Sequence, residues 1–388
     1  MERINDRLLN WASVLEPATR EQALRTVSMP FIRPHLALMP DAHLGKGATV
    51  GSVIPTSEAI IPAAVGVDIG CGMIAVRTGF TVDEFTGDLA RLRTSIERAI
   101  PLSAGVANRT ILPTAEPRIA ELAEAADAAG FNPAHAKREW ALQLGTLGSG
   151  NHFIEVTRDE LGRVWLFLHS GSRGVGNRIA QRHILVAQQQ SAARGDRLPD
   201  RDLAWLQEGT AEFDAYIAEL RWAQRYALLN REEMMDRLIG CVQDWIGAPV
   251  AEAERINCHH NFTELEEHFG ERLWVSRKGA IEARLGQPGL IPGSMGTASY
   301  VVSGLGNELS LHSSPHGAGR RLSRNAARRS FSLADLRKAM VGIEYRDTEA
   351  FLDEIPAAYK DIDQVMADAA DLVEIRHTLR QIVNVKGD

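Results

Sequence analysis

The chain has 388 residues, 45% of them hydrophobic and 24% charged, enough apolar material for a sizeable core and too much for a disordered chain. Lys and Arg total 43 against 50 for Asp and Glu, a net charge of −7, so a general polyanion coat is excluded and any nucleic-acid contact must be a local basic patch. Cys71, Cys241 and Cys258 contain no C-x-x-C pair, which excludes a disulfide scaffold and fits a reducing compartment.

No apolar run reaches the ~18–20 residues of a membrane span. The N-terminal stretch MERINDRLLN carries acids and lacks a signal-peptide core, so the expected location is the cytoplasm. Along the chain, residues 39–80 are rich in glycine and short β-prone runs. They include a tight glycine loop, MPDAHLGKG (Met39–Gly47), that carries Asp41, His43 and Lys46, and a strand at Ile74–Val76. Apolar residues recur at helical spacing over 83–100 and 116–129. Residues 100–140 carry weak signals and read as a variable insertion. The glycine-rich texture returns over 144–178, with a strand at Val164–Leu168. Leu203 to Ile239 reads as one or two long amphipathic helices. Segments 256–262 and 276–320 are again glycine-rich, with a strand at Tyr300–Val302, and the terminal VKGD is expected to fray. Strands and helices do not alternate regularly, and the glycine-rich texture spans the chain. The expected fold is therefore α+β, a single domain over 1–388. Its histidines fall at strand ends and turns, where catalytic groups usually sit.

The common nucleotide signatures G-x-x-x-x-G-K-[ST], G-x-G-x-x-G and Lys-x-Asp-Gly are absent, so any nucleotide would be held by another arrangement. Three clusters carry metal-ligand types. VDIGCG (Val67–Gly72) contributes Asp68 and Cys71. GNHFIE with LHSGSRG contributes His152 and His169. NCHHN (Asn257–Asn261) contributes His259 or His260, of which only one faces an ion if the segment is a strand. Taken singly, a Cys in a glycine turn or a His beside Phe153 is more often a core residue. Together, Asp, Cys and His suit Zn, Mn, Fe or Co, and ligand type alone points to zinc. A bridging thiolate would give a two-metal clamp for phosphate oxygens. PHGAGRR (Pro315–Arg321) joins a histidine to flexible backbone and arginines that suit phosphate. His316 there could be a base, a ligand or a nucleophile toward phosphorus. Arg320, Arg321, Arg324, Arg328 and Arg329 form a basic cluster that reads as a nucleic-acid track or as a solvated helix face.

The stretches MPDAHLGKGATVGSVIPT, IIPAAVGVDIGCGM, LGTLGSGNHFIE, LHSGSRGVGN, INCHHNF, RKGAI, IPGSMGTASY, HGAGR, EIPAAYKDID and the terminal VKG stand here in that order. They resemble the RtcB RNA-splicing ligase family from about residue 28 to the C-terminus. The resemblance implies packed β-sheets around a central metal cleft, flanked by helices. It implies an enzyme that uses GTP and two Mn(II) ions to join RNA ending in a 2′,3′-cyclic phosphate or 3′-phosphate to RNA starting with a 5′-hydroxyl. His316 would take GMP. Asp68, Cys71, His152, His169 and His260 would hold the metals, with Cys71 bridging and His260 preferred over His259. Asn151, Phe153, Glu155, Ser294, Ser299, Gly317, Ala318, Gly319, Arg320, Tyr359 and Lys386 would line the GTP pocket, where Glu155 and Lys386 would read the guanine. Asp41 would support His316, and Arg173 and Lys278 would serve phosphate or RNA. The expected partners are tRNA or rRNA fragments, in splicing or repair, and an activating protein is compatible with the family; the expected state is a monomer. Two other readings keep part of this chemistry. One is a phosphodiesterase or end-capping guanylyltransferase that does not seal. The other is a non-catalytic RNA-binding module, whose mark would be a missing ligand or nucleophile.

Overall fold

The computed structural model describes residues 1–388. Its larger sheet has seven antiparallel strands, in the spatial order Glu252–His259, Gly72–Thr81, Arg163–Ser170, Phe153–Arg158, Val373–Lys386, Ser299–Gly304 and Pro288–Ile291. The sheet curls until its two edge strands lie beside each other. A second sheet runs Glu2–Asn5, Leu8–Asn10, Leu36–His43, Val50–Thr56, Glu271–Lys278 and Asn261–His268, and only its Leu8–Asn10 and Leu36–His43 pair is parallel. The α+β expectation holds. No helix is long and apolar enough to cross a membrane.

Strand alternation decides what faces what. Met73, Ala75, Trp165 and Phe167 point between the sheets, where they meet Met39, Val53 and Val275. Ile74, Val76, Val164, Leu166 and Leu168 point outward, against the helices Leu89–Ala99 and Ala211–Ile246. Both faces are buried, which explains why Val164–Leu168 is an unbroken apolar run.

Four local expectations change. The long helix begins at Ala211, not Leu203, and continues unbroken to Ile246. Thr210 starts it by accepting the Phe213 N–H, and Gly247 ends it in the left-handed region at φ 76°. Leu203 belongs to a short 3₁₀ turn. The helical pattern over 83–100 divides into a 3₁₀ turn at Val82–Glu84 and a helix capped by Asp88. Asp41 and His43 lie on the strand Leu36–His43, so the glycine loop begins only after them. Finally, the C-terminus does not fray, because Val373–Lys386 is an interior strand of the larger sheet. Residues 100–140 include the helix Glu116–Ala128, whose Leu122 and Ala126 pack against Trp222 and Tyr226 of the long helix.

Register brings the motifs together. Gly72 pairs with Ser170 and with His259, Met73 pairs with His169, and Phe153 pairs with His169. Cys71, His152, His169 and His260 therefore gather at one end of the sheet, although they are far apart in sequence. The ribbon Ala280–Glu282 with Ser313–Pro315 delivers His316 to the same place.

Candidate active site

Asp68, Cys71 and His152 form one group of metal-ligand atoms, and Cys71, His169 and His260 form another. Cys71 Sγ is common to both, 3.3 Å from His152 Nε2 and 3.2 Å from His169 Nε2. His152 Nε2 lies 3.2 Å from Asp68 Oδ2, and the Nε2 atoms of His169 and His260 are 2.9 Å apart. The His152 Nδ1–H is directed at the Leu147 carbonyl at 2.9 Å, which turns its Nε2 lone pair toward the thiol. Burial holds the His169 and His260 rings well below the usual imidazole range and pushes the Cys71 thiol up, with Asp68 adding to the latter. Burial opposes ionisation of Asp68, but hydrogen bonding and attraction to His152 bring its carboxyl down to about 2. Two neutral imidazoles thus bring their Nε2 atoms together beside a thiol, where a cation could take the place of a shared proton. The donor set fits divalent cations held on both sides of Cys71.

His316 stands beside this cluster, its ring centroid 4.5 Å from that of His260. Asp41, fully buried, places Oδ2 2.6 Å from His316 Nδ1, off the angle of a hydrogen bond, and accepts the His316 backbone N–H at 3.2 Å. No protein group bonds Nε2, and the ring lines a cavity next to the ligand cluster. Gly279 must lack a side chain here, because a Cβ would come within 2.9 Å of the His316 ring.

That cavity holds about 340 Å³ and runs from the ligand cluster to a second polar end. There Glu155 is 3% exposed. Burial raises its carboxyl to about 8. Tyr359 donates to Glu354 Oε2 at 2.6 Å, Arg320 donates to the Tyr359 hydroxyl at 2.7 Å and lies over its ring, and Lys386 Nζ is 3.4 Å from Glu354. At the opposite end, Lys278 donates to the Ala63 carbonyl at 2.9 Å and to that of Lys46, and burial lowers its ammonium to about 7.

Most of the expected residues come together. Asp68, Asn151, Phe153, Glu155, His169, His260, Lys278, Ser294, His316, Gly317, Ala318, Gly319, Arg320, Tyr359 and Lys386 line the cavity. Cys71 and His152 lie just behind Asp68 and His169, and Asp41 lies behind His316. Ser299 does not line the cavity; its hydroxyl accepts the Gly293 N–H at 3.3 Å. Arg173 sits behind the rim, with its guanidinium 3.3 Å from His152 Nδ1. His259 turns away, its Nδ1 2.9 Å from the Gly70 carbonyl. Of the arginine cluster, Arg320, Arg324 and Arg328 pair with Asp353 or Glu354, while Arg321 and Arg329 are exposed and unpaired. Sequence reasoning missed Glu354, Arg324 as a lining residue, Asn261 and Asn384. Glu354 stands in the quoted stretch EIPAAYKDID, five residues before Tyr359, and was detectable only there.

A model described as "tRNA-splicing ligase RtcB" matches residues 22–387. The RNA-splicing ligase RtcB of Escherichia coli strain K12 is 48% identical over 387 residues, spanning 96% of this chain and 95% of the relative. The tRNA-splicing ligase RtcB of Pyrobaculum aerophilum is 32% identical, spanning 94% and 89%, and the RNA-splicing ligase RtcB of Mycobacterium tuberculosis is 32% identical, spanning 89% and 94%. With a match that runs almost end to end and a thiol shared by two ligand groups at its centre, the chain belongs to the RtcB family.

Proposed function

We propose that the whole chain, 1–388, is one catalytic domain that ligates RNA, joining a 2′,3′-cyclic phosphate or 3′-phosphate end to a 5′-hydroxyl end with GTP and Mn(II). One observation carries the reading: an imidazole with a free Nε2 shares a cavity with two ligand groups joined by Cys71. When bound, the cations would be held by Asp68, Cys71 and His152 and by Cys71, His169 and His260, and would neutralise phosphate oxygens as charge develops.

The remaining steps belong to the chain's own side chains. Asp41 fixes the Nδ1 side of His316, so Nε2 attacks the α-phosphorus of GTP. An N–P bond forms, the P–O bond to the β-phosphate breaks, and pyrophosphate leaves. Glu155 Oε2 has no protein partner and accepts the guanine N1–H and N2–H, while Lys386 donates to O6. Backbone N–H groups of Gly317, Ala318 and Gly319, with Arg320, take the phosphates. Asn151, Phe153, Ser294 and Tyr359 wall the nucleotide, and Ser299 braces the Gly293 turn. A terminal 3′-phosphate oxygen, produced by hydrolysis where the end is cyclic, then attacks the same phosphorus. The N–P bond breaks, and a 3′-pp-5′G end results. The 5′-hydroxyl attacks the RNA-side phosphate, a phosphodiester forms, its proton is lost to solvent, and GMP departs. Lys278 meets RNA phosphate at the cavity end, and Arg173 acts on it from behind His152. The substrates fitting this chemistry are cleaved tRNA or rRNA.

Intact-mass spectrometry of the protein with GTP and Mn(II) tests the reading. A GMP adduct is expected on wild type and not on His316→Ala, and an undiminished adduct on His316→Ala would sink the nucleophile assignment. Gel separation of sealed RNA from the 3′-pp-5′G species distinguishes ligation from capping alone.

A further inference from the structure

The long helix Ala211–Ile246 carries Arg231, whose side chain is fully buried. Its Nη1 donates to the Gly70 carbonyl at 2.8 Å and to the Ser170 carbonyl at 3.1 Å. Its Nε donates to Asn257 Oδ1 at 2.8 Å, and its Nη2 lies 3.1 Å from His259 Nδ1. Gly70, Ser170 and His259 are the sequence neighbours of Cys71, His169 and His260. One guanidinium therefore bonds the backbone carbonyls beside Cys71 and His169 and lies against the ring of His259, which adjoins His260 and whose Nδ1 proton is taken by the Gly70 carbonyl that the guanidinium also bonds.

The helix is also pressed onto the ligand turn. Gly70 has φ +70°, and a Cβ there would come within 2.8 Å of Ala227 and 2.9 Å of the Gln224 backbone. The turn is thus held from one side by helix contact and from the other by the Gly70 N–H, which donates to the Asn261 carbonyl at 2.6 Å. A buried cation beside a cation site is electrostatically unfavourable. What offsets this is the planar fork of donors, which reaches several acceptors in fixed directions as an ammonium cannot.

We propose that Arg231 is a positioning residue for the Cys71–His169–His260 ligand group, setting the spacing of the thiolate and the two imidazoles before a cation arrives. The inference rests on the metal reading above. Arg231 touches no ligand atom of that group and acts only through the residues adjoining them. Residues that hold metal ligands in place commonly govern affinity by about 10–100-fold.

The test uses the full-length protein, stripped of metal and titrated with Co(II) chloride, whose thiolate charge-transfer band reports the Cys71–metal bond directly. Arg231→Lys is expected to bind Co(II) at least about tenfold more weakly and to shift or weaken that band. Leu238→Ala, a buried cavity variant on the same helix, is expected to unfold earlier in denaturant yet keep the wild-type affinity and spectrum. Asn257→Ala, which removes the acceptor of Nε together with the amide's own bond to Glu232, is expected to give a smaller change in the same direction and serves if Arg231→Lys does not fold. A wild-type spectrum and affinity in whichever of the two folds would overturn the proposal. Cys71→Ser separates the two levels: if it keeps Co(II) binding and the band, the metal reading itself fails. If it loses them while the Arg231 and Asn257 variants do not, only the positioning role fails.

Discussion

Asn384 donates its side-chain amide to Glu155 Oε1 at 2.9 Å, while the other carboxylate oxygen, buried as deeply, meets no protein donor. The Asn384 amide oxygen beside it is likewise unpartnered, and two orphaned acceptors in a nucleotide-sized cavity suit a base edge that offers N–H groups, as guanine does. Burial raises the Glu155 carboxyl to about 8 from 4.5, so the free protein keeps it mostly neutral at pH 7. Accepting from guanine requires the carboxylate, so binding below pH 8 releases a proton. Affinity for GTP should therefore rise with pH, by up to about tenfold per unit, and level off above about 8. The nucleotide-free protein should show the opposite trend. The stability that comes from holding this proton is complete below about 4.5 and is lost as pH rises through about 8. Calorimetric GTP titrations from pH 6 to 9 check this, and Glu155→Gln should flatten the profile. A wild-type affinity independent of pH would contradict the assignment.

His316 offers a second test, through Asp41. Asp41→Asn keeps the shape of the side chain and its acceptor for the His316 N–H but removes the negative charge beside Nδ1. The ring then loses the partner that fixes its orientation and stabilises it as charge leaves Nε2. The expected effect is a fall of about 10²–10⁴-fold in the rate of GMP adduct formation. Metal and GTP binding should stay near wild type. Single-turnover guanylylation, followed by intact mass, measures the rate. An unchanged rate would leave Asp41 a core residue only.

The candidate ligand residues stood out in the sequence because each lies on or beside a glycine- or asparagine-bearing stretch next to a short apolar run. Their convergence was implied only by the family resemblance. It depends on the register that sets Met73 opposite His169 and Gly72 opposite His259, which no local pattern encodes. The helix 211–246 was visible in part, as the amphipathic repeat over 203–239, but that pattern did not single out Asn230 and Arg231. They are fully buried because loops from several strands meet that face. Asn230 bonds the backbone at Gly145, Thr146 and Gly171. The arginine cluster misled in a related way. Its neutralising carboxylates, Asp353 and Glu354, lie well downstream, and only the fold brings them to Arg320, Arg324 and Arg328. Lys386 was reached only through the family resemblance, because a chain end is expected to fray unless, as here, its extended segment joins a sheet.

Glu354 is the shared acceptor at the end of the cavity proposed to take the nucleotide. Tyr359, Arg320, Arg324 and Lys386 all contact its two oxygens. Burial would raise its carboxyl, but Lys386 and Arg324 outweigh that and hold it below the usual carboxylate range. Glu354→Ala leaves buried cationic groups without their counter-charge, so a loss of about 3–5 kcal/mol in urea denaturation is expected. Glu354→Gln keeps the volume and should lose less stability. Because it frees Tyr359 and Lys386 from fixed positions, it should raise KM for GTP more than it lowers kcat. Equal KM with reduced kcat would place Glu354 in the chemistry rather than in shaping the pocket.

Cys71 belongs to both ligand groups, so its removal should affect both cations at once. Burial, with Asp68 adding to it, raises the thiol above its ordinary value. A cation must displace that proton to bind the thiolate, so metal affinity should increase with pH and binding should release a proton. Ligation favours the folded state because the four turns that supply the donors come together only there. At a free concentration of 100 times Kd, bound metal adds about 2.7 kcal/mol per site. Scanning calorimetry should therefore show a higher Tm with Mn(II) than with EDTA for the wild type. Cys71→Ser, which keeps the size but offers a poor ligand, should abolish most of that difference, whereas Cys241→Ser, on the long helix outside either group, should leave it intact. If Cys71→Ser retains the full Mn(II)-dependent rise in Tm, the thiol is not a ligand and the two groups are not joined through it.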